Sequence, residues 1–170
     1  FSYYLDFYIS FFIKKINFQK QIYLVKEQYK LNIMNNEIKA KIAKVELLIF
    51  DFDGVMTNNE VIVSELGTEF VICSRGDGMG ITRLLKTGLK ICVISTEVNP
   101  VVNKRCEKLK ISCKQDVNDK EKAVLETCDE FNVSTEKTLF LGNDINDIPA
   151  FNCVGIPVAV ADAYPEVIPY

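Results

Sequence analysis

The sequence predicts an α/β domain built on a doubly wound parallel sheet. Three observations carry the prediction. Short apolar runs alternate with segments whose apolar residues recur at helical spacing. The runs at Val45–Phe50 and Lys90–Ile94 are rich in branched residues and short enough to be strands covered on both faces. Finally, runs of this kind give way abruptly to polar residues, and the handedness of βαβ crossovers collects such strand ends along one sheet edge.

Composition bounds the chemistry before any motif is read. The chain has 170 residues, one domain's worth, with a net charge of −3 and its charges interspersed, which gives no nucleic-acid footprint. It contains no histidine, which removes serine and cysteine triads, histidine bases and most zinc chemistry. None of the six cysteines forms a Cys-x-x-Cys pair, so free, buried thiols and a cytoplasmic location are expected.

Residues 1–33 differ from the rest: an aromatic and isoleucine-rich start, then Lys14-Lys15, then a Lys/Gln/Asn-rich run. The apolar part is too short to span a bilayer and carries Asp6. Signal-peptide features are lacking, and no membrane partner is expected. Residues 1–44 are read as an N-terminal extension outside the core domain, with Met34 a natural start, and 45–170 as the working domain.

The first strand, Val45 to Phe50, carries one charge and ends in Asp51-Phe52-Asp53-Gly54. Ligands in open α/β sheets bind at carboxyl ends of strands, and alternation sends Asp51 and Asp53 to the same side. Two close carboxylates repel unless a cation holds them, and a hard divalent ion such as Mg²⁺ suits oxygen ligands. The plain alternative is a solvated Asp-rich turn with Gly54 at positive φ.

Val61–Val63 and Glu69–Cys73, separated by a turn containing Gly67, read as a β-hairpin. Arg75-Gly76-Asp77-Gly78 opens a helix to about Thr87, with Ile81, Leu84 and Leu85 facing the core and Gly88 as its stop. Lys90 to Ile94 is a second buried strand, ending in Ser95-Thr96. Asn99 and Pro100 start a helix to about Lys110, with Val102, Cys106 and Leu109 on one stripe. A short strand at Ile111–Cys113 precedes a helix from Lys120 with the stripe Val124, Cys128 and Phe131. Thr138 to Leu141 is a strand ending in Gly142-Asn143-Asp144-Ile145-Asn146-Asp147, and Val154 to Val160 is the last strand. Singly, these polar ends read as caps and Asx turns, and Asp144 with Asp147 does not fit an EF-hand.

In this order, Asp51-Phe52-Asp53-Gly54-Val55-Met56-Thr57, Ser95, Lys120 and Asp144 with Asp147 resemble the four motifs of the haloacid dehalogenase-like phosphatases. The resemblance runs from Val45 to Val167. It is nearest the branch of the 3-deoxy-manno-octulosonate 8-phosphate phosphatases and the related domain of bacterial acylneuraminate cytidylyltransferases. It implies a Rossmann-like fold with the hairpin in place of a cap domain, an aspartyl-phosphate mechanism and a homotetramer. By residue, it implies Asp51 as nucleophile and Asp53 as acid and base, with Ser95, Lys120 and Gly54 at the phosphate. Mg²⁺ would sit on Asp51, Asp53 and Asp144, with Asp147 and Asn143 behind them. Arg75, Asp77 and Gly78 would meet the substrate, a phosphorylated sugar acid. Ser95-Thr96-Glu97 departs from the Thr-Gly-Arg of the octulosonate enzymes and resembles the cytidylyltransferase-linked domain. The chain also stops before the glycine-containing tail of the octulosonate enzymes. A non-catalytic oligomerisation module, or a protein docking through residues 1–33, are the other classes open at this stage.

Overall fold

The computed structural model describes residues 36–170; the expectations for residues 1–33 lie outside that range. A first helix, α1 (Asn36–Ile42), leads into the central strand β1 (Leu47–Phe50). The hairpin β2 (Thr57–Val63) and β3 (Glu69–Cys73) follows, then α2 (Arg75–Leu85) and β4 (Lys90–Ile94). The chain continues through α3 (Val101–Leu109), β5 (Ser112–Lys114), α4 (Lys120–Phe131), β6 (Thr138–Gly142), α5 (Ile148–Cys153) and β7 (Ile156–Ala159).

The main sheet has five strands in the order β5-β4-β1-β6-β7, every neighbouring pair parallel. Helices cover both faces, as the buried apolar strands require. Leu48 and Phe50 of β1 pack with Ile81, Leu84, Val102 and Cys106 of α2 and α3. Leu47 and Ile49 point to the other face, against Val124 and Cys128 of α4 and Phe151 of α5. The alternation of strand side chains thus divides one run of four apolar residues between two cores. Ile42, at the end of α1 and within the presumed extension, is buried, so that part of the chain packs against the domain.

Phe50 is level with Val93 and Leu141 in the two flanking strands. Asp51, Ser95 and Asn143 therefore leave the sheet within one residue of one another. The hairpin stands apart as its own two-stranded sheet, with Val61 paired to Val71 and Ile62 to Phe70. It carries no large domain.

Candidate active site

The site is assembled where β1, β4 and β6 end. Asp51 continues β1, its N–H donating to the Leu141 carbonyl at 2.9 Å, and its side chain is buried. Its Oδ1 lies 2.9 Å from Lys120 Nζ. Lys120 opens α4, where a cation opposes the helix dipole. That conflict is offset by carboxylates on both sides, because Lys120 Nζ also lies 2.6 Å from Asp147 Oδ1 and 3.3 Å from Asn146 Oδ1. An ammonium this buried (its side chain is 2% exposed) requires such partners.

Asp147 is the hub of the last loop. While Oδ1 holds Lys120, Oδ2 accepts the backbone N–H groups of Asn143 (2.8 Å) and Asp144 (3.1 Å). The carboxylate lies so close to Gly142 that a Cβ there would come within 2.5 Å of it, so the strand must end in glycine. One side chain thereby fixes both the lysine and the course of the loop.

The loop directs Asn143, not Asp144, at the first motif. The tip of the buried Asn143 amide lies 3.2 Å from Asp51 Oδ2 and 2.8 Å from the Asp53 carbonyl oxygen, and with its NH₂ turned inward it donates to both. Gly54, at φ +80°, passes so close that a Cβ would overlap the Asn143 amide. Asp144 is the residue expected to supply the third metal oxygen. Its carboxylate turns back to accept the Ile145 N–H at 2.6 Å, capping the short turn Ile145–Asp147. Among the described residues no three Asp, Glu or Cys side chains converge as a metal group.

Asp53 is half-buried, with Thr57 Oγ1 donating to its Oδ1 at 3.5 Å; the same hydroxyl accepts the N–H groups of Gly54 and Asn59. Burial and then the negative charge of Glu97 raise the pKa of Asp53, against the Thr57 bond. Burial lifts Asp51 more strongly, to about 6, in spite of Lys120. Both carboxylates are short of positive charge.

Ser95 is buried at the end of β4, and its Oγ accepts the Glu97 N–H at 3.1 Å. Glu97 Oε1 accepts from Asn99 N (2.7 Å) and Asn99 Oδ1 from Val101 N (3.1 Å), so three interlocked turns hold the loop. Asn146 bridges this loop to Lys120 through Thr96 Oγ1 at 3.4 Å. Neither Asn146 nor Thr96 carries a role in the sequence reading. Both lie within motif runs, but their bridge is visible only once the loops meet.

Of the substrate-side residues, Arg75 is exposed on the first turn of α2. Asp77 is buried and lines a cavity of about 170 Å³ with Val55, Thr57, Ile72 and Cys73. Gly78 lets α2 approach Leu109, whose Cδ2 would be 3.0 Å from an added Cβ. Arg105 of α3 also reaches this region, Nη2 donating to the Ser74 carbonyl at 2.6 Å while its buried Nε has no partner. Nothing in the helical pattern signals that contact.

Comparison with known proteins agrees with this architecture. The sequence profile of the haloacid dehalogenase-like hydrolases matches residues 9–170. The 3-deoxy-D-manno-octulosonate 8-phosphate phosphatase of Escherichia coli K12 is 31% identical over 134 residues, 78% of this chain and 71% of that protein. The structure of a hydrolase of this family from Streptomyces avermitilis is 44% identical, with TM-score 0.71 over 73% of this chain and 71% of that one. The cobalt-bound octulosonate 8-phosphate phosphatase of Haemophilus influenzae is 30% identical, with TM-score 0.72 over 75% of each chain. A parallel sheet without a cap domain, a match spanning nearly the whole chain and this degree of identity place the protein in a family: it belongs to the haloacid dehalogenase-like phosphatases, in the branch of the 3-deoxy-manno-octulosonate 8-phosphate phosphatases.

Proposed function

We propose that the chain is a Mg²⁺-dependent phosphomonoesterase that hydrolyses a phosphorylated sugar acid, of the 3-deoxy-manno-octulosonate 8-phosphate type, through an aspartyl-phosphate. The observation that carries the reading is the buried Asp51–Lys120–Asp147 chain at the end of the central strand, beside the half-buried Asp53. A nucleophile, a fixed cation and a proton carrier at one sheet edge suit phosphoryl transfer.

Unaided hydrolysis of phosphate monoesters is so slow that enhancements up to ~10²¹ are known. Splitting the reaction makes it tractable. A carboxylate oxygen of Asp51 attacks phosphorus and the bond to the sugar oxygen breaks. Asp53, whose raised pKa favours the protonated form, gives its proton to that oxygen. It then takes a proton from the water that attacks the phospho-aspartate, releasing phosphate and restoring both carboxyl groups. Lys120 and Ser95 would hold the phosphoryl oxygens, and Gly54, whose N–H is held by Thr57, would pass beside them without a side chain in the way. A divalent cation held by the Asp51 carboxylate and the Asp53 carbonyl would offset repulsion between nucleophile and phosphate.

Arg75, with Asp77 and Gly78 behind it, would read the substrate carboxylate, a group that suits a planar guanidinium. A second reading, an N-acylneuraminate 9-phosphate substrate, is favoured by Glu97, whose charge at this loop departs from the arginine of the octulosonate enzymes. The free state of all six cysteines suits a cytoplasmic enzyme. No helix among the described residues is long and apolar enough to cross a membrane.

The two aspartates have separable roles, which gives the test. Asp51→Asn should abolish turnover, since an amide is a poor nucleophile. Asp53→Asn should lose the proton shuttle, typically worth ~10²–10⁴-fold. With p-nitrophenyl phosphate the leaving group needs no proton, so Asp53→Asn should release a burst of nitrophenol and then stall, while Asp51→Asn gives no burst. Wild-type turnover in both variants, with Mg²⁺ present, would overturn the reading.

A further inference from the structure

We propose that Cys106 and Cys113 form an oxidation site, where hydrogen peroxide joins them in a reversible disulfide that lowers activity by disturbing the adjacent Ser95 loop. The effect on activity rests on the proposed phosphatase reading; the disulfide itself does not.

Topology brings the two thiols together. Cys106 lies in the last turn of α3 and is buried. The helix ends at Lys110, in the left-handed region, and the Ile111 N–H donates to the Cys106 carbonyl at 3.2 Å. The chain therefore turns directly into β5. There Cys113 is level with Val93 of β4, and side chains level with each other in a parallel pair share a face. Val93, Cys106 and Cys113 accordingly pack in one apolar cluster, and the Cys106 and Cys113 side chains hydrogen-bond to each other.

The pair is chemically unequal. Cys113 is half-buried, and its thiol is held below the ordinary range because Cys106 donates a hydrogen bond to its thiolate. The same bond, and then burial, raises Cys106. Burial also raises Cys73, Cys92, Cys128 and Cys153. Of the six thiols, Cys113 is thus the one set up as a thiolate with a second thiol in reach. Its sulfur attacks one peroxide oxygen; the S–O bond forms, the O–O bond breaks, and the departing hydroxide takes up the proton Cys113 had released. Cys106 then attacks the Cys113 sulfur; the S–S bond forms, the S–O bond breaks, and the oxygen leaves with the Cys106 proton as a second water. Two thiols lose two electrons to one peroxide, and a dithiol reverses the change.

An S–S bond is shorter than a hydrogen-bonded contact between thiols, so closing it draws β5 and the end of α3 together. The next residue, Lys114, accepts the Ser95 N–H through its carbonyl at 2.9 Å. Gln115 then accepts the Asn103 N–H of α3 at 3.3 Å and donates to the Val98 carbonyl at 3.1 Å. The loop that carries Ser95 hangs on the segment that the disulfide would move.

The test treats the full chain with hydrogen peroxide, caps remaining thiols with N-ethylmaleimide and digests with trypsin without reductant. Peptide 106–108 should be found joined to peptide 111–114, with Cys73 still capped. Turnover of p-nitrophenyl phosphate should fall by ~10-fold or more, since a misplacement of about 1 Å can cost ~10², and dithiothreitol should restore it. Cys113→Ser should give no linked pair and keep its turnover in peroxide. Cys106→Ser should also lack the link, but yield Cys113 sulfenic acid as a dimedone adduct; melting before oxidation shows that both variants fold. Absence of the linked peptides in oxidised wild type overturns the site without need of any variant. Inactivation of Cys113→Ser at the wild-type rate overturns it too, placing the sensitive group elsewhere, as at Cys73 in the hairpin cavity. A linked pair with undiminished turnover overturns the control of activity. If untreated protein hydrolyses no phosphomonoester, the phosphatase reading fails, while the linked peptides still decide the site.

Discussion

At the scale of single residues, the site is governed by a shortage of positive charge. Lys120 serves two buried carboxylates, and burial still outweighs it at Asp51, whose pKa rises from 3.8 to about 6 without a bound cation. Between those values the folded chain keeps a proton that the unfolded chain has released. The contribution of Asp51 to stability is therefore greatest below the lower value and is lost as pH rises through the higher one. In EDTA, the melting temperature of wild type should fall relative to Asp51→Asn as pH is raised across that window, and saturating Mg²⁺ should remove the difference. Parallel pH profiles for the two proteins in EDTA would contradict it. At this scale the sequence was legible in part. The placing of Asp51 at the end of the central strand follows from the apolar run before it, and that of Lys120 from its position at a helix start. Which of Asn143 and Asp144 faces inward does not follow, since it depends on Asp147 accepting two backbone N–H groups and so setting the turn.

At the scale of elements, strands and helices were readable because burial imposes their periods. The run Leu47–Phe50 divides its side chains between two cores, and the stripe Val102, Cys106 packs as helical spacing requires. The ends were less legible. The strand expected at Ile111–Cys113 forms at Ser112–Lys114, after α3 ends in a left-handed residue, Lys110 at φ 58°. Asn132 ends α4 the same way at φ 51°, but asparagine tolerates that region. Lysine does not, at a cost of ~1–2 kcal/mol, whereas glycine's extra entropy costs ~0.5–1 kcal/mol. Lys110→Gly should thus stabilise the domain by about 0.5–1 kcal/mol, read as a higher urea midpoint at unchanged slope. The same substitution at Asn132 should gain less. A lower midpoint for Lys110→Gly would show that the lysine side chain contributes more than its backbone strain costs.

At the scale of the molecule, the hairpin offers the surface for assembly. It exposes Val61, Ile62, Val63, Leu66, Phe70 and Ile72, each more than half in solvent, on a ribbon with little core of its own. Contiguous apolar surface of this kind marks an interaction site. The occupant we propose is further copies of this chain, forming a homotetramer in which neighbouring subunits wall an active site that has no cap domain. The pairing register identifies the residues to change. Val71 partly packs against the domain core, so replacing it would confuse folding with assembly, but Ile62 and Phe70 are paired and both exposed. Ile62→Asp with Phe70→Asp should convert tetramers to monomers in light scattering, with the melting temperature of the monomer showing that the domain still folds. Turnover of the sugar phosphate should fall, because its distal end has lost a wall. Hydrolysis of p-nitrophenyl phosphate should persist, because Asp51, Asp53 and Lys120 come from one chain. A wild-type monomer with full sugar-phosphate turnover would sink the assembly proposal, and equal loss of both activities in a folded variant would mean that the hairpin supports the phosphoryl site directly.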